Sequence, residues 1–382
     1  MIVSDIRKRC EGGVARVEAR VAWEYVDAPP LLAYVETLDT LASALTPDPN
    51  AFLVACLLPA WRLGERRLRI EGELCPVLCE RVKTPLGMLR RWHPDDFGAP
   101  PAIEATRGFA TRTPVRGQAI SLLSCGIDSL ATLRWNVLHV PCDHPDAIRA
   151  CAYFELDESE EPSLERLQLL TGPREPVIRA VEDETGVEPI PIRTNLWWLA
   201  DDGRFSTEKW HGAFLASLVS FFAARFRQGY VASSHSPAVV QPWGSHPLID
   251  PHFSSAHFRV EHDLFSMDRI DKLALVADWP TGLANIRVCQ NDDTGRHNCG
   301  TCEKCIRTLV QLAALGKLEG AAASFPGAQL TPELIMTIEE YDMIKGYPYY
   351  IAWYSAAIPG LRDHGHRDVA DALKVVVAAA RD

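Results

Sequence analysis

No uncharged apolar run of the roughly 18 residues needed to span a bilayer occurs in the sequence, and its first residues, MIVSDIRKRCEGG, lack the apolar stretch of a secretory signal. A soluble, cytoplasmic protein is the expectation. Basic charge is also short: 39 Lys and Arg stand against 50 Asp and Glu, a net charge of −11. The deficit is uneven, because residues 1–116 carry 16 basic against 15 acidic side chains and the remainder 23 against 35. An acidic surface repels a phosphate backbone, so nucleic acid is disfavoured as the main partner. The densest basic group, Arg62, Arg66, Arg67 and Arg69, reads as solvated strand or turn surface. Internal repeats and low-complexity segments are absent too, which argues against a solenoid or a linker-rich chain.

What is present points to a globular α/β protein. With 382 residues, 47% of them hydrophobic, the chain can bury a sizeable core in two domains or in one with a large extension. Residues 1–116 read as a small β-rich α+β domain: VARVEARVAWEYV and RLRIEGELCPVLCERV give extended pieces around one helix at LAYVETLDTLASAL. HPDDFGAPPAIEATRGFATRTPVRG then reads as a linker.

From residue 117 to about 315 the texture changes. QAISLLS, AIRACAYFEL, VEPIPIRTNL, YVASSH and LANIRVCQ read as strands. They alternate with helical patterns at LATLRWNVLH, SLERLQLL, IRAVEDETG, WHGAFLASLVSFFAARFRQG and MDRIDKLALVADW. Strands alternating with helices imply βαβ crossovers and a doubly wound, mostly parallel sheet. Residues 316–382 read as a helical tail, with Thr331 as an N-cap ahead of Pro332.

Two segments carry chemistry. In SLLSCGIDSLATL a strand runs into a helix through Ser124, Cys125, Gly126, Ile127, Asp128 and Ser129. Such a turn lies at the carboxyl end of a strand, where backbone N–H groups and the helix dipole suit a phosphate or pyrophosphate. Its spacing is neither a Walker A loop nor GxGxxG, so an ordinary turn capped by Asp128 or Ser129 stays open. The second segment, CQNDDTGRHNCGTCEKC, holds Cys289, Cys299, Cys302 and Cys305 at spacings C-x9-C-x2-C-x2-C. Four thiolates offer a closed tetrahedral shell to a structural Zn²⁺; an iron–sulfur cluster is the alternative.

Other residues stand at positions of interest. Ser233, Ser234 and His235 follow a strand and face the presumed nucleotide crevice, and Lys209, His211 and Arg204 precede or open the central helix. His235, His246, His252, His257 and His262, with Asp250 and Asp263, form either a polar loop or a substrate pocket with room for a second metal. Trp197 and Trp198 read as core or interface. Asp95 and Asp96 read as part of a turn.

Ser124-Cys-Gly-Ile-Asp-Ser129 resembles the SGGxDS signature of the PP-loop ATP pyrophosphatase superfamily, with Cys125 in place of the second residue. Together with Cys299-Gly-Thr-Cys302 and Cys305-Ile-Arg307, it resembles the 7-cyano-7-deazaguanine synthase branch of the queuosine pathway. The resemblance covers roughly residues 117–310. It implies an adenine nucleotide alpha hydrolase-like (HUP-like) fold with a structural zinc. It also implies ATP with Mg²⁺ as substrate, release of pyrophosphate, and adenylation of a carboxylate or amide oxygen. Ammonia or an amine then displaces AMP in C–N bond formation.

On that reading Ser124–Ser129 and Ser233–His235 bind nucleotide, while Asp128, Ser129, Lys209 and His211 act in catalysis. The acid is of the 7-carboxy-7-deazaguanine type. Antiphage-defence systems use such proteins to modify a partner protein, and residues 1–116 are the candidate docking region; a homodimer is also compatible. The family's Gly-Arg-Asn and Tyr-Pro-Asp-Cys-Arg segments are replaced by Lys209-Trp-His-Gly212 and WGSHPLIDPHFSS, so the ATP chemistry carries over better than the acid does. Sulfur transfer through Cys125, or a nucleotide-binding module without activity, are the other readings.

Overall fold

The computed structural model describes all residues except 172–174, 201, 290, 292–297, 341–343, 345–347 and 382. Among the described residues ten strands form one sheet: β1 Ile2–Glu11, β2 Val14–Ala22, β3 Leu31–Leu38, β4 Arg67–Ile70, β5 Ala102–Ala105, β6 Ala119–Leu122, β7 Ile148–Leu156, β8 Glu188–Thr194, β9 Gln228–Ala232 and β10 Arg259–Asp263. Their order is β10-β9-β6-β7-β8-β3-β2-β1-β4-β5. The strands from β10 to β8 run parallel, whereas β3, β2 and β1 continue antiparallel before β4 and β5 close the far edge in parallel.

The parallel part is doubly wound. Alternate residues of its strands point to opposite faces. Ile120, Leu122, Ala150, Ala152, Ile190, Ile192, Val231 and Val260 share one core with helices Pro49–Arg62 and His211–Ser220. Ala119, Cys151 and Tyr153 belong to another, with helices Ile127–His139 and Arg269–Ala277. Val3, Val17, Ala19, Val21, Ala33 and Val35 lie in the first of these cores, so residues 1–116 share both sheet and interior with the parallel part. A third core joins helix Glu303–Ala314 to the tail helices Pro348–Asp363 and Arg367–Ala379.

The seam between the two parts has a local cause. Thr37 Oγ1 donates to the carbonyl of Pro191 at 2.6 Å, so this residue faces β3, yet proline has no N–H to offer the ladder. Strands β3 and β8 accordingly pair only at Val35–Thr194 and Glu36–Arg193. Side chains complete the join. Tyr34 N–H donates to Asn195 Oδ1 at 2.8 Å, and Glu36, fully buried, accepts from Arg16 at 2.7 Å and Arg193 at 2.5 Å. Arg193 also reaches Asp157 at 2.7 Å, and both guanidiniums lie over the Tyr34 ring.

Several sequence expectations are corrected. The segment read as a helix around residues 32–45 is strand β3 as far as Leu38, followed by a single 3-10 turn at Asp39–Leu41; Ala33–Thr37 of the strand are buried in succession, and a strand covered on both faces loses the alternation that marks strands. RLRIEGELCPVLCERV supplies only β4 and then helix Pro76–Arg81, and the linker contains β5. Helix Pro49–Arg62, with Pro59 inside it and buried nearly throughout, went unread because it has no polar face. LANIRVCQ is not a strand among its described residues, and β10 takes the place of the fifth parallel strand. The long helix expected from Trp210 ends at Ser220 and is preceded by a π-helical turn, Ser206–Trp210. Thr331 caps its helix as expected, accepting from Leu334 N–H at 3.2 Å. No helix among the described residues is long and apolar enough to cross a membrane.

Candidate functional site

The chain moves from β6 outward to β7 and β8, then returns to the other side of β6 for β9 and β10. The crevice between the carboxyl ends of β6 and β9 is therefore the topological switch point, where open α/β sheets bind ligands. Both nucleotide-binding segments expected from the sequence sit at its rim: residues 124–129 after β6 and residues 233–235 after β9.

The first loop is built by its own small side chains. Gly126 N–H donates to Ser124 Oγ at 3.2 Å, Ser129 Oγ donates to the Gly126 carbonyl at 3.1 Å, and the two serine oxygens lie 3.1 Å apart. Gly126 occupies the N-cap of helix Ile127–His139, and no side chain caps that terminus. The first N–H groups of the helix thus face the rim, as an anion site requires. Ile127 is buried in the core beneath, so it anchors the loop by packing.

Cys125 has φ +61°, a left-handed conformation that glycine adopts without cost and a residue with a Cβ adopts only with strain. That is a backbone reason for glycine at this place in the SGGxDS pattern. Its side chain is fully buried in the core shared with Cys151, and its carbonyl accepts from Arg287 N–H at 2.8 Å.

Asp128 ties the two loops together. Its carboxylate lies 3.2 Å from Arg269 Nη1 and 3.9 Å from Lys272 Nζ, and Lys272 donates to the Ser233 carbonyl at 2.6 Å. Ser233 Oγ in turn donates to the His235 carbonyl at 2.7 Å, while Ser234 is exposed at the rim. Helix Glu303–Ala314 brings Lys304 and Arg307 to the same place, where Arg307 pairs with Glu303 at 3.4 Å. Burial pushes the Lys272 ammonium down from its ordinary range and Asp128 opposes that; both Lys272 and Arg269 also feel Asp128 as their main carboxylate. Among the described residues Asp128 pairs with Arg269 and Lys272 and Glu303 with Arg307, while the carboxylates of Asp263 and Asp268 also act on Lys272. Buried cations gathered at the end of a strand are compatible with an anionic ligand. Burial also holds His235 neutral, with its pKa lowered to about 4.

Lys209 and His211 lie at the start of helix His211–Ser220, which packs in the other core of the sheet. Lys209 makes a 2.8 Å ion pair with Asp96, which gives the carboxylate pair of the former linker a structural partner. His211 opens helix His211–Ser220 and is held neutral by burial, with the charge of Lys304 adding to the effect. Beside it Gly212 lets Asp250 approach: a Cβ there would stand 2.2 Å from Asp250 Oδ1. Asp250, fully buried, receives His262 Nδ1 at 2.8 Å and Ser245 Oγ at 2.7 Å. His257 pairs instead with Asp48 at 3.0 Å. The histidine segment therefore divides into separate structural pairs and does not gather as a metal set among the described residues. Trp197 packs on Trp210 and Phe214 in the core, as expected, and Arg204 pairs with Glu208 at 2.9 Å.

Sequence reasoning missed Arg269, Lys272, Lys304 and the tail. MDRIDKLALVADW announced only a helix, although the spacing of Arg269 and Lys272 places both on one face of its first turn. Nothing local marks Tyr349 and Trp353, whose rings pack around His235.

Cys289, Cys299, Cys302 and Cys305 converge, with all four sulfurs within 4.8 Å of one another. A tetrahedral metal with bonds of about 2.3 Å spaces thiolates by about 3.8 Å, so the set fits an ion such as zinc. Cys299 Sγ accepts from the N–H groups of Thr301 and Cys302 at 3.5 and 3.3 Å, which fixes the turn that carries it. The residues between Cys289 and Cys299 lie mostly outside the described part of the chain. Comparisons with protein-family models, curated proteins and solved structures return no match for this chain.

Proposed function

We propose that this protein is an ATP-dependent synthetase of the 7-cyano-7-deazaguanine synthase-like type, with an adenine nucleotide alpha hydrolase-like sheet and a structural zinc at its four cysteines. The observation that carries this reading is the convergence of loop 124–129 with the buried cations Arg269 and Lys272 on Asp128, at the switch point between β6 and β9. The parallel order, which is 3-2-1-4-5 when β6 is counted first, is the order of doubly wound nucleotide-binding sheets.

In this reading ATP enters as its magnesium complex, with its β- and γ-phosphates at the loop and the cations. A carboxylate oxygen of the acid attacks the α-phosphorus, the P–O bond to the β-phosphate breaks, and pyrophosphate leaves with its charge met by fixed donors. An amine nitrogen, from ammonia or from a partner protein held by residues 1–116, then attacks the activated carbonyl; AMP departs and the nitrogen loses a proton. In this reading His211, held neutral by burial, is the candidate acceptor of that proton.

The test is pyrophosphate release from Mg-ATP with 7-carboxy-7-deazaguanine and ammonia, followed by a wider set of carboxylic acids. Asp128→Ala, which unties Arg269 and Lys272 from the loop, is expected to lower the rate about 100-fold. Equal release by wild type and variant would refute the assignment of the loop. Cys125→Ala is expected to keep wild-type pyrophosphate release, because the thiol faces the core and not the crevice. Loss of release in that variant would instead favour sulfur chemistry at Cys125.

A further inference from the structure

The tail helix Pro348–Asp363 places Trp353 directly on the cation cluster. The guanidinium carbon of Arg307 lies 4.6 Å and that of Arg269 5.3 Å from the Trp353 ring centroid, and Arg307 is also 4.9 Å from Tyr350. Tyr349 packs edge-on against Trp353 at 4.7 Å, and the His235 ring lies nearly parallel to it at 6.2 Å. All of these side chains are more than nine-tenths buried.

Of the buried arginines at the seam, Arg16 resembles these two, with the Glu36 carboxylate and the Tyr34 ring 3.8 Å from its guanidinium carbon, whereas Arg193 is held differently. Arg193 has Glu36 and Asp157 as carboxylate partners and the carbonyl of Glu161 as well. At the crevice, by contrast, Arg269 and Arg307 each pair with one carboxylate among the described residues, and the Nε of each is buried without a hydrogen-bond partner among them. An aromatic face attracts a guanidinium without using its N–H groups and without neutralising it. An arginine stacked in this way stays ready to donate to an oxyanion. A structural arginine left with an orphaned N–H would instead be a net cost.

We infer that Trp353 holds Arg269 and Arg307 as a second oxyanion subsite beside loop 124–129, which takes the terminal phosphate of a nucleoside triphosphate. The inference rests on the reading of the crevice as a nucleotide site and adds the tail helix to it. Trp353 acts as a positioning residue; the two arginines make the contact.

Calorimetric titration of the zinc-loaded full chain with inorganic pyrophosphate and, separately, with AMP tests it. Trp353→Leu is expected to raise the Kd for pyrophosphate about tenfold and to leave that for AMP unchanged, while Trp353→Phe, which keeps a ring face, stays within about threefold. Arg269→Gln keeps the tail packing intact and is expected to lose pyrophosphate affinity to the same degree as Trp353→Leu. Wild-type pyrophosphate affinity in both Trp353→Leu and Arg269→Gln overturns the subsite, as does a wild type that binds no pyrophosphate. An equal loss of AMP affinity also overturns it, since a merely structural tail would weaken both ligands. A wild type that binds pyrophosphate but releases none from ATP with any acid leaves the subsite standing and removes the synthetase.

Discussion

Cys302→Ser is expected to abolish metal binding at the four cysteines and to melt the region built on them. Cys302 is the N-cap of helix Glu303–Ala314 and Cys305 lies in its first turn, so half of the thiolate set belongs to the base of that helix. The same helix carries Glu303, Lys304 and Arg307 into the crevice and packs against the tail. Structural zinc contributes on the order of 10 kcal/mol to a fold that assembles around it at neutral pH. Elemental analysis should find about one zinc per wild-type chain and almost none in the variant. A chelator should lower the melting temperature of the wild type, with zinc but not magnesium restoring it. Full metal content in Cys302→Ser would remove the site, and a coloured, iron-containing protein would replace zinc by a cluster.

Glu36→Ala should be the most damaging change away from the crevice. It strips the shared carboxylate from Arg16 and Arg193, both almost wholly buried at the junction of β3 and β8. Removing one partner of a buried ion network costs about 3–5 kcal/mol, because the remaining charge is left without compensation. Glu36→Gln, which keeps the shape and part of the hydrogen bonding, should cost less. Urea unfolding at pH 7 would measure both. A loss below about 1 kcal/mol in Glu36→Ala would show that backbone pairing at Val35 and Glu36 suffices to hold the seam.

Much of the candidate site was legible because its signals are local. A strand that stops at Ser-Cys-Gly and restarts as a helix, and four cysteines at fixed spacing, each announce a geometry within a few residues. The alternation of strands and helices after residue 117 likewise identified the parallel sheet. Where local pattern is silent, reading failed. Strand β3 and helix Pro49–Arg62 are covered almost entirely, so neither shows the one-sided periodicity from which strand or helix is inferred.

The sequence by itself therefore determined the α/β class, the strand-end loop around Asp128 and the four thiolates, since each depends on neighbours in the chain. Only the tertiary structure decided that residues 1–116 extend the same sheet, that Cys125 turns its thiol inward, and that Arg269, Lys272, Arg307 and Trp353 meet around one crevice. Those outcomes follow from which carbonyls lack a ladder partner beside proline, which face of a strand end is covered, and how far a helix rotates on its core. Interactions between segments more than a hundred residues apart fix them, and no window of sequence contains both partners.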